Sequence, residues 1–359
     1  MFNCPNYYKK FLFGFFFILE FSSCSKKDQT PPSSTTDFQY FSLIPGQDKI
    51  EFSVSKHRVS VRVPDSVISG TGLIANYTIS PGASITRDGI TQQSGITRND
   101  FEKDLTYTLT AADQQTRTNW TVQATNNDYS ISWGLGHFIN RSLNEDRSYN
   151  WYIDQSTSGE FALVNCGPAS VTMAIHWADS GFSKTALDAR QTYQSGGGWW
   201  FTSDINAYLN NYNIPHAIIG LSDHADTSKT ILTRQLDHHQ IIILCLDMNY
   251  VRSSADQDFR VDKFYLTSPG WGHFIVIKGY QKVDEEVFFE VYDPYSFGLV
   301  NPDQTLKGMN RFYRYEDLAA ACQPWWNFAF VIAKKGENLS PEAVKRKLNP
   351  ALVPVAHNF

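Results

Sequence analysis

Cysteine is sparse in this 359-residue chain: five in all, with Cys4 and Cys24 both near the start. The other three, Cys166, Cys245 and Cys322, are too few for a disulfide framework. Charge of one sign is not in excess either. With 31 Lys and Arg against 36 Asp and Glu, the formal charge of −5 gives no electrostatic reason to bind nucleic acid. The apolar run Phe11–Leu19 is too short to span a membrane as an ordinary helix. What the chain has in quantity is aromatic residues, 14% of the total with 9 Trp and 18 Tyr, which excludes disorder and implies substantial cores. Its length is enough for two domains.

Lys9 and Lys10 precede the apolar run, and Phe21-Ser22-Ser23-Cys24 follows it before the polar Ser25-Lys26-Lys27-Asp28. A positive segment, an apolar segment and small residues before a cysteine form an export signal. This one resembles a bacterial lipoprotein signal, whose cysteine is lipidated and becomes the first mature residue. The resemblance implies an anchor at Cys24 and a cell-envelope location, on the periplasmic face or the outer-membrane surface. An uncleaved signal anchor or ordinary secretion is the alternative.

Residues 1–24 are therefore read as leader and 25–36, with its prolines and serines, as a tether. From 37 to 126 the period becomes two. Val59, Val61 and Val63 alternate with polar residues, as do Leu105, Tyr107, Leu109 and Ala111, and then Trp120, Val122 and Ala124. This predicts a small antiparallel sandwich. The segment Tyr107–Asp113 leading to Trp120-Thr121-Val122 resembles the closing hairpin of immunoglobulin-like modules common in Bacteroidetes surface lipoproteins. It is read as a spacer, with carbohydrate or protein binding as the alternative. Residues 127–149 are assigned as a linker that is aromatic and irregular.

The chemistry is expected in residues 150–335. Cys166 stands where irregular sequence gives way to a helical pattern, with Pro168 in the first turn and Val171, Ala174, Ile175 and Ala178 at helical spacing. Unpaired N–H groups and the positive end of the helix dipole favour thiolate there. Downstream, Gly272-His273-Phe274-Ile275-Val276 carries a histidine into an apolar strand, and Val291-Tyr292-Asp293-Pro294 ends a second strand on an aspartate. A hairpin through Gln281–Glu286 lays His273 near Asp293. An imidazole that takes the thiol proton, oriented by a carboxylate, is what an acyl-transferring cysteine requires. Cys245, within the apolar run Ile241–Leu246, is instead expected to be a buried strand residue. Whether it pairs with Cys322 is left open.

Gln155, Asn165-Cys166-Gly167-Pro168-Ala169-Ser170, Gly272–Tyr280 and Tyr292-Asp293-Pro294 together resemble the C39-like branch of the papain-like cysteine peptidases. The resemblance implies an α+β papain-like cysteine peptidase domain, with a Cys-bearing helix packed on antiparallel sheet, behind a small all-β immunoglobulin-like sandwich. It further implies a peptide or protein substrate, Cys166 as nucleophile, His273 as base, Asp293 as its orienting residue and Gln155 as oxyanion donor. A binding protein on a catalytically inactive fold, and an amidase or acyltransferase using the same triad, are the rival readings.

Trp271 and Trp199 are candidates to line a substrate site, and Thr202 is expected to cap the helix that follows Trp199. His176 lies ten residues into the cysteine helix, about 15 Å along its axis, too far to serve the thiol. Asp223-His224-Ala225-Asp226 and Asp237-His238-His239 are read as polar loop residues flanking a helix over 229–236, so no metal and no cofactor is predicted. Residues 336–359 form a tail in which Ser340-Pro341 opens a short basic helix.

Overall fold

Alternation in the N-terminal part produces strands with one buried face. Leu105–Thr110 buries Leu105, Tyr107 and Leu109, and Arg117–Thr125 buries Trp120, Val122 and Ala124. They join a six-stranded sheet in the order Lys49–Ser53, Arg58–Arg62, Arg117–Thr125, Leu105–Thr110, Ser84–Arg87, Ile90–Thr91. Two two-stranded ribbons, Phe38–Ser42 with Asn76–Ile79 and Leu73–Ile74 with Arg98–Asn99, accompany it. One pairing departs from the antiparallel expectation: Arg58–Arg62 runs parallel to Arg117–Thr125. The chain leaves the sheet after Arg62, builds ribbon strands, and returns with the same direction. Period-two patterning specifies the buried face, not the direction of a neighbour. Trp120 ties the layers, donating Nε1–H to the Thr36 carbonyl at 2.7 Å and meeting Phe38 edge-on at 5.5 Å.

This computed structural model describes residues 31–353 apart from 128, 223, 224, 285 and 325. The leader, with Cys24, and the first half of the tether lie outside the described residues, as do Asp223 and His224. Among the described residues no helix is long and apolar enough to cross a membrane.

The C-terminal part is mixed α/β, organised on a seven-stranded sheet in the order His216–Gly220, Phe328–Ile332, Ile241–Asp247, Gly272–Val283, Glu286–Tyr292, Arg311–Arg314. All pairings in this sheet are antiparallel. The seventh strand, Ile139–Asn144, pairs with the far half of Gly272–Val283. It falls in the stretch read as a linker. Phe138 buries in the N-terminal core while the next residues join the C-terminal sheet, so this stretch is structured by both. Its sequence, Ile-Asn-Arg-Ser-Leu-Asn, lacks an apolar alternation that would announce a strand.

Both faces of the sheet are covered, so Ile241–Asp247 is buried at every residue. Ile241, Ile243 and Cys245 face the core under the cysteine helix, Cys166–Ala178. Ile242, Leu244 and Leu246 face the opposite core, under the helices Ala225–Asp237 and Tyr315–Cys322. Cys245 and Cys322 therefore belong to opposite faces, and both are free thiols. The helix expected over 229–236 begins four residues earlier, at Ala225.

The hairpin that carries the candidate residues is tighter than expected. The histidine strand runs to Val283 and its partner resumes at Glu286, with Asp284 taking φ 51° in the turn. The tail also packs. Ser340 caps Pro341–Lys345, bonds Gln235 at 2.7 Å, and is followed by Leu348, which donates to the Ile218 carbonyl along the sheet's edge.

Gly279 lets Ile139–Asn144 reach the histidine strand, since a Cβ there would stand 2.3 Å from the Leu143 carbonyl oxygen. Gly279→Ala is expected to lower the unfolding free energy by about 1–3 kcal/mol. Urea denaturation checks this; an unchanged midpoint would mean that this strand contributes nothing to the sheet's stability.

Candidate active site

Cys166 is the first residue of its helix, preceded by Asn165. Asn165 does not cap through its side chain. It donates instead to the carbonyl and hydroxyl oxygens of Ser158 at 3.1 and 2.8 Å, and accepts from Arg190 Nε at 2.6 Å. Free N–H groups at the helix start are thereby left near the sulfur. The helix is apolar on nearly every side and packs against the histidine strand, with Ser170 donating to the Phe274 carbonyl at 3.2 Å. Close approach is needed at Gly167, where a Cβ would lie 2.7 Å from Cβ of Trp200.

Across the contact, His273 is the second residue of its strand and Asp293 follows the last residue of the next. The antiparallel register lays them together, His273 Nε2 to Asp293 Oδ1 at 2.7 Å. His273 also lowers the Cys166 thiol, and with Nε2 engaged by Asp293 its other ring nitrogen, Nδ1, is left uncommitted by that bond. His273 is thus hydrogen-bonded to Asp293 on one side and acts on the Cys166 thiol on the other.

Asp293 is fully buried and accepts from four donors. Besides His273, these are the Tyr295 backbone N–H at 2.9 Å, the Tyr265 hydroxyl at 2.8 Å and the Tyr313 hydroxyl at 2.5 Å. Burial alone would push its carboxyl up, but the His273 charge and hydrogen bond, with those of Tyr313 and Tyr295, hold it below its ordinary value. Burial keeps both tyrosines protonated, hence donors. Burial likewise pulls His273 down, yet Asp293 and Cys166 outweigh it and push it up to about 10. For Cys166, burial pushes the thiol up, while His273 and the backbone N–H groups of Phe274 and Gly167 win and lower it. At Cys245 burial outweighs the Leu246 backbone N–H and raises the thiol well above the ordinary value; Cys322 is pushed up to about 12 by burial.

The other candidates are placed less directly. Gln155 is buried, donates Nε2–H to the Ala162 carbonyl at 2.8 Å, and its backbone N–H bonds the Pro294 carbonyl at 2.8 Å. That holds it beside the aspartate's loop with one amide proton committed. Trp271 is half-buried and meets Tyr295 edge-on at 6.2 Å, and Tyr295 in turn meets His273 at 6.3 Å. Trp199 is 50% exposed, and its neighbour Trp200 is the one packed against the cysteine helix. The cap expected at Thr202 falls on Phe201, whose N–H is accepted by Asp204 at 2.9 Å, because the carboxylate at the third helical position reaches back. His176 bonds the Lys184 carbonyl, away from the thiol. Asp237 accepts from Arg141 and Tyr280, and His239 meets Glu145 at 2.8 Å. Among the described residues no cluster of three His, Cys, Asp or Glu is placed to hold a metal.

Sequence reasoning missed Tyr265, Tyr313 and Arg190. Nothing local marks Tyr265, which sits in an irregular connection. Arg190 had a faint signal, because Ala186, Ala189 and Arg190 share one helix face, an arginine on an apolar stripe.

Asp293 is depressed below 3.8 in the folded state, so its contribution to stability is full above the unfolded value and is lost as pH falls through the folded one. Asp293→Asn should be less stable than wild type at pH 7, by about 1–3 kcal/mol, with the gap closing on acidification below about pH 4. Denaturation series at several pH values check the sign; a gap that widens in acid would contradict the hydrogen-bonded carboxylate.

Residues 149–319 match the model of the Peptidase_C39 like family, and residues 38–124 match that of the SGBP, N-terminal family. No curated protein matches the chain. Among solved structures, a protein of Bacillus anthracis inferred to be a C39-like peptidase is 11% identical, with 55% of this chain and 100% of that one covered at a TM-score of 0.33. A protein of Bacteroides fragilis inferred to be secreted is 19% identical over 22% of this chain and 70% of its own, at a TM-score of 0.19. One of Bacteroides thetaiotaomicron inferred to be a glycoside hydrolase is 15% identical over 85% and 90%, at 0.22. At such scores the assignment rests on the family models and on the motifs around Cys166 and His273. The mixed α/β domain of this chain thus carries the match to the Peptidase_C39 like family, and the β-rich domain before it the match to the SGBP, N-terminal family.

Proposed function

We propose that the chain is a cell-envelope cysteine peptidase of papain-like arrangement, hydrolysing peptide or amide bonds through Cys166, His273 and Asp293. The observation that carries this reading is the buried His273–Asp293 pair, bonded at 2.7 Å, facing a thiol at a helix N-terminus. His273 already holds the thiol proton as imidazolium, so the Cys166 thiolate attacks the carbonyl carbon and the imidazolium gives its proton to the leaving amine. Water, deprotonated by the same imidazole, splits the thioester and releases the acid. The Cys166 N–H and the second amide proton of Gln155 serve the oxyanion, the first being held by Ala162. Trp271 and Trp199 contact the peptide. The β-rich domain acts as an immunoglobulin-like spacer from a lipid anchor at Cys24, and no metal, cofactor or nucleic acid takes part.

One observation favours the binding-protein alternative. Cys166 is only 5% exposed and His273 2%, so a substrate must open a way to the sulfur. Alkylation separates the two readings, because Cys166, Cys245 and Cys322 are similarly shielded, at 5%, 4% and 2% exposure, and their rates report thiolate content. At pH 6 Cys166 should react at least about tenfold faster than the others. His273→Ala should remove most of that advantage and Asp293→Ala a smaller part. Gln155→Ala should spare alkylation while slowing hydrolysis about 10²–10³-fold. A Cys166 no faster than Cys245 in folded protein would favour the inactive fold, and products formed with an added amine would identify a transferase.

The anchor is tested separately. The native protein should partition into detergent, and Cys24→Ala into the aqueous phase; unchanged partitioning would mean the anchor is misassigned.

A further inference from the structure

Arg190 is a charge with no obvious reason to be where it is. It lies on the short helix Ala186–Thr192 beside the cysteine helix and is 1% exposed. Its guanidinium donates to Asn165 Oδ1 at 2.6 Å, the Val164 carbonyl at 2.9 Å, the Gln194 carbonyl at 3.0 Å and the Gly198 carbonyl at 2.6 Å. Every one of these acceptors is neutral. A buried cation is ordinarily set against an anion, because the lost hydration is otherwise poorly offset. Two acidic groups act on its charge, Cys166 and Asp204. Asp204 is already committed to the Phe201 N–H at 2.9 Å.

The same fork joins three pieces of chain that have to agree. Val164 and Asn165 lead into the cysteine. Gln194 and Gly198 belong to the glycine-rich loop that carries Trp199 and Trp200, and Trp200 lies against Gly167, next to the sulfur's own residue. That loop is itself tightly seated, since a Cβ on Gly197 would lie 2.4 Å from the Phe161 ring.

We infer that Arg190 is a positioning residue for Cys166, binding the cysteine's N-cap to the tryptophan loop and setting a second fixed positive charge beside the sulfur. This rests on the reading of Cys166 as a nucleophile. The charged and titratable groups around Cys166 are then His273 from its strand, with Asp293 bonded to it, Cys245 in the same core, and Arg190, whose fork holds Val164 and Asn165 just before the cysteine, with Asp204 acting on that fork. Cys245 stays protonated, so the anions set against the two cations are Asp293, bonded to the imidazole, and Asp204, bonded to the Phe201 N–H. Placement of the Trp199–Trp200 loop and ionisation of the thiol thus share one side chain.

The test is the pH profile of Cys166 alkylation in the full chain, with folding followed by melting temperature. Arg190→Gln should shift the profile to higher pH and slow alkylation at pH 6 by about tenfold, one pKa unit. Arg190→Lys loses the fork and should melt lower, yet it keeps the charge and should recover most of the rate. Equal slowing in both folded variants, or none in Arg190→Gln, would overturn the inference. If Arg190→Gln does not fold, Arg190→Lys decides: a rate within about twofold of wild type supports the charge, and a tenfold loss removes it. A wild-type Cys166 no faster than Cys245 would instead sink the nucleophile reading itself.

Discussion

The carboxylate of Asp293 is the constraint on which the rest of the site depends. A charge removed from water must be met by donors, and here four are supplied by four separate stretches of chain. His273 comes from the histidine strand, Tyr265 from the long connection before it, Tyr313 from the strand Arg311–Arg314, and the Tyr295 N–H from the turn after Asp293 itself. The backbone around the carboxylate is equally committed. Asp293 N–H bonds the Gly308 carbonyl at 2.9 Å, and Tyr152 donates to its carbonyl at 2.7 Å. Gly308 has no freedom to carry a side chain, since a Cβ would lie 1.9 Å from the Asp293 oxygen. With Asp293 held by so many partners, the imidazole bonded to it through Nε2 is held in place beside the cysteine helix.

In the segment leading into Cys166 the pattern is inverted. There a buried cation, Arg190, is surrounded by acceptors that carry no charge, and it gathers the residues leading into Cys166. Burial opposes ionisation of the thiol at all three described cysteines, and only Cys166 has partners to reverse it. The contrast with Cys245 is instructive, because it lies in the same core one strand away.

The sheet makes this possible by being covered on both faces. It can place a histidine and an aspartate on adjacent strands, pack the cysteine helix on one side, and seat two further helices on the other without exposing an apolar face. Its edges are closed as well, by the tail beside His216–Gly220 and by the Val261–Phe312 bridge beside Arg311–Arg314.

Local chemistry determined several of these features from the sequence alone. Pro168 and the spacing of Val171, Ala174 and Ile175 place a helix start at Cys166, because proline in the first turn and a 3.6-residue apolar period are properties of one short segment. Ile241–Leu246, apolar at every position, can only be a segment buried on all sides, and the hairpin between the histidine strand and its partner brings His273 and Asp293 close because few residues separate them. Tertiary structure alone decided the rest. The parallel pairing of Arg58–Arg62 with Arg117–Thr125, the strand within 139–144, the Tyr265 hydroxyl on Asp293 and the Arg190 fork on Asn165 each depend on residues far apart in the chain or on irregular backbone. A pattern of burial states which face of a segment is hidden. It does not state which distant group will lie against it, since that is settled only when all the buried charges and unpaired backbone groups find partners at once.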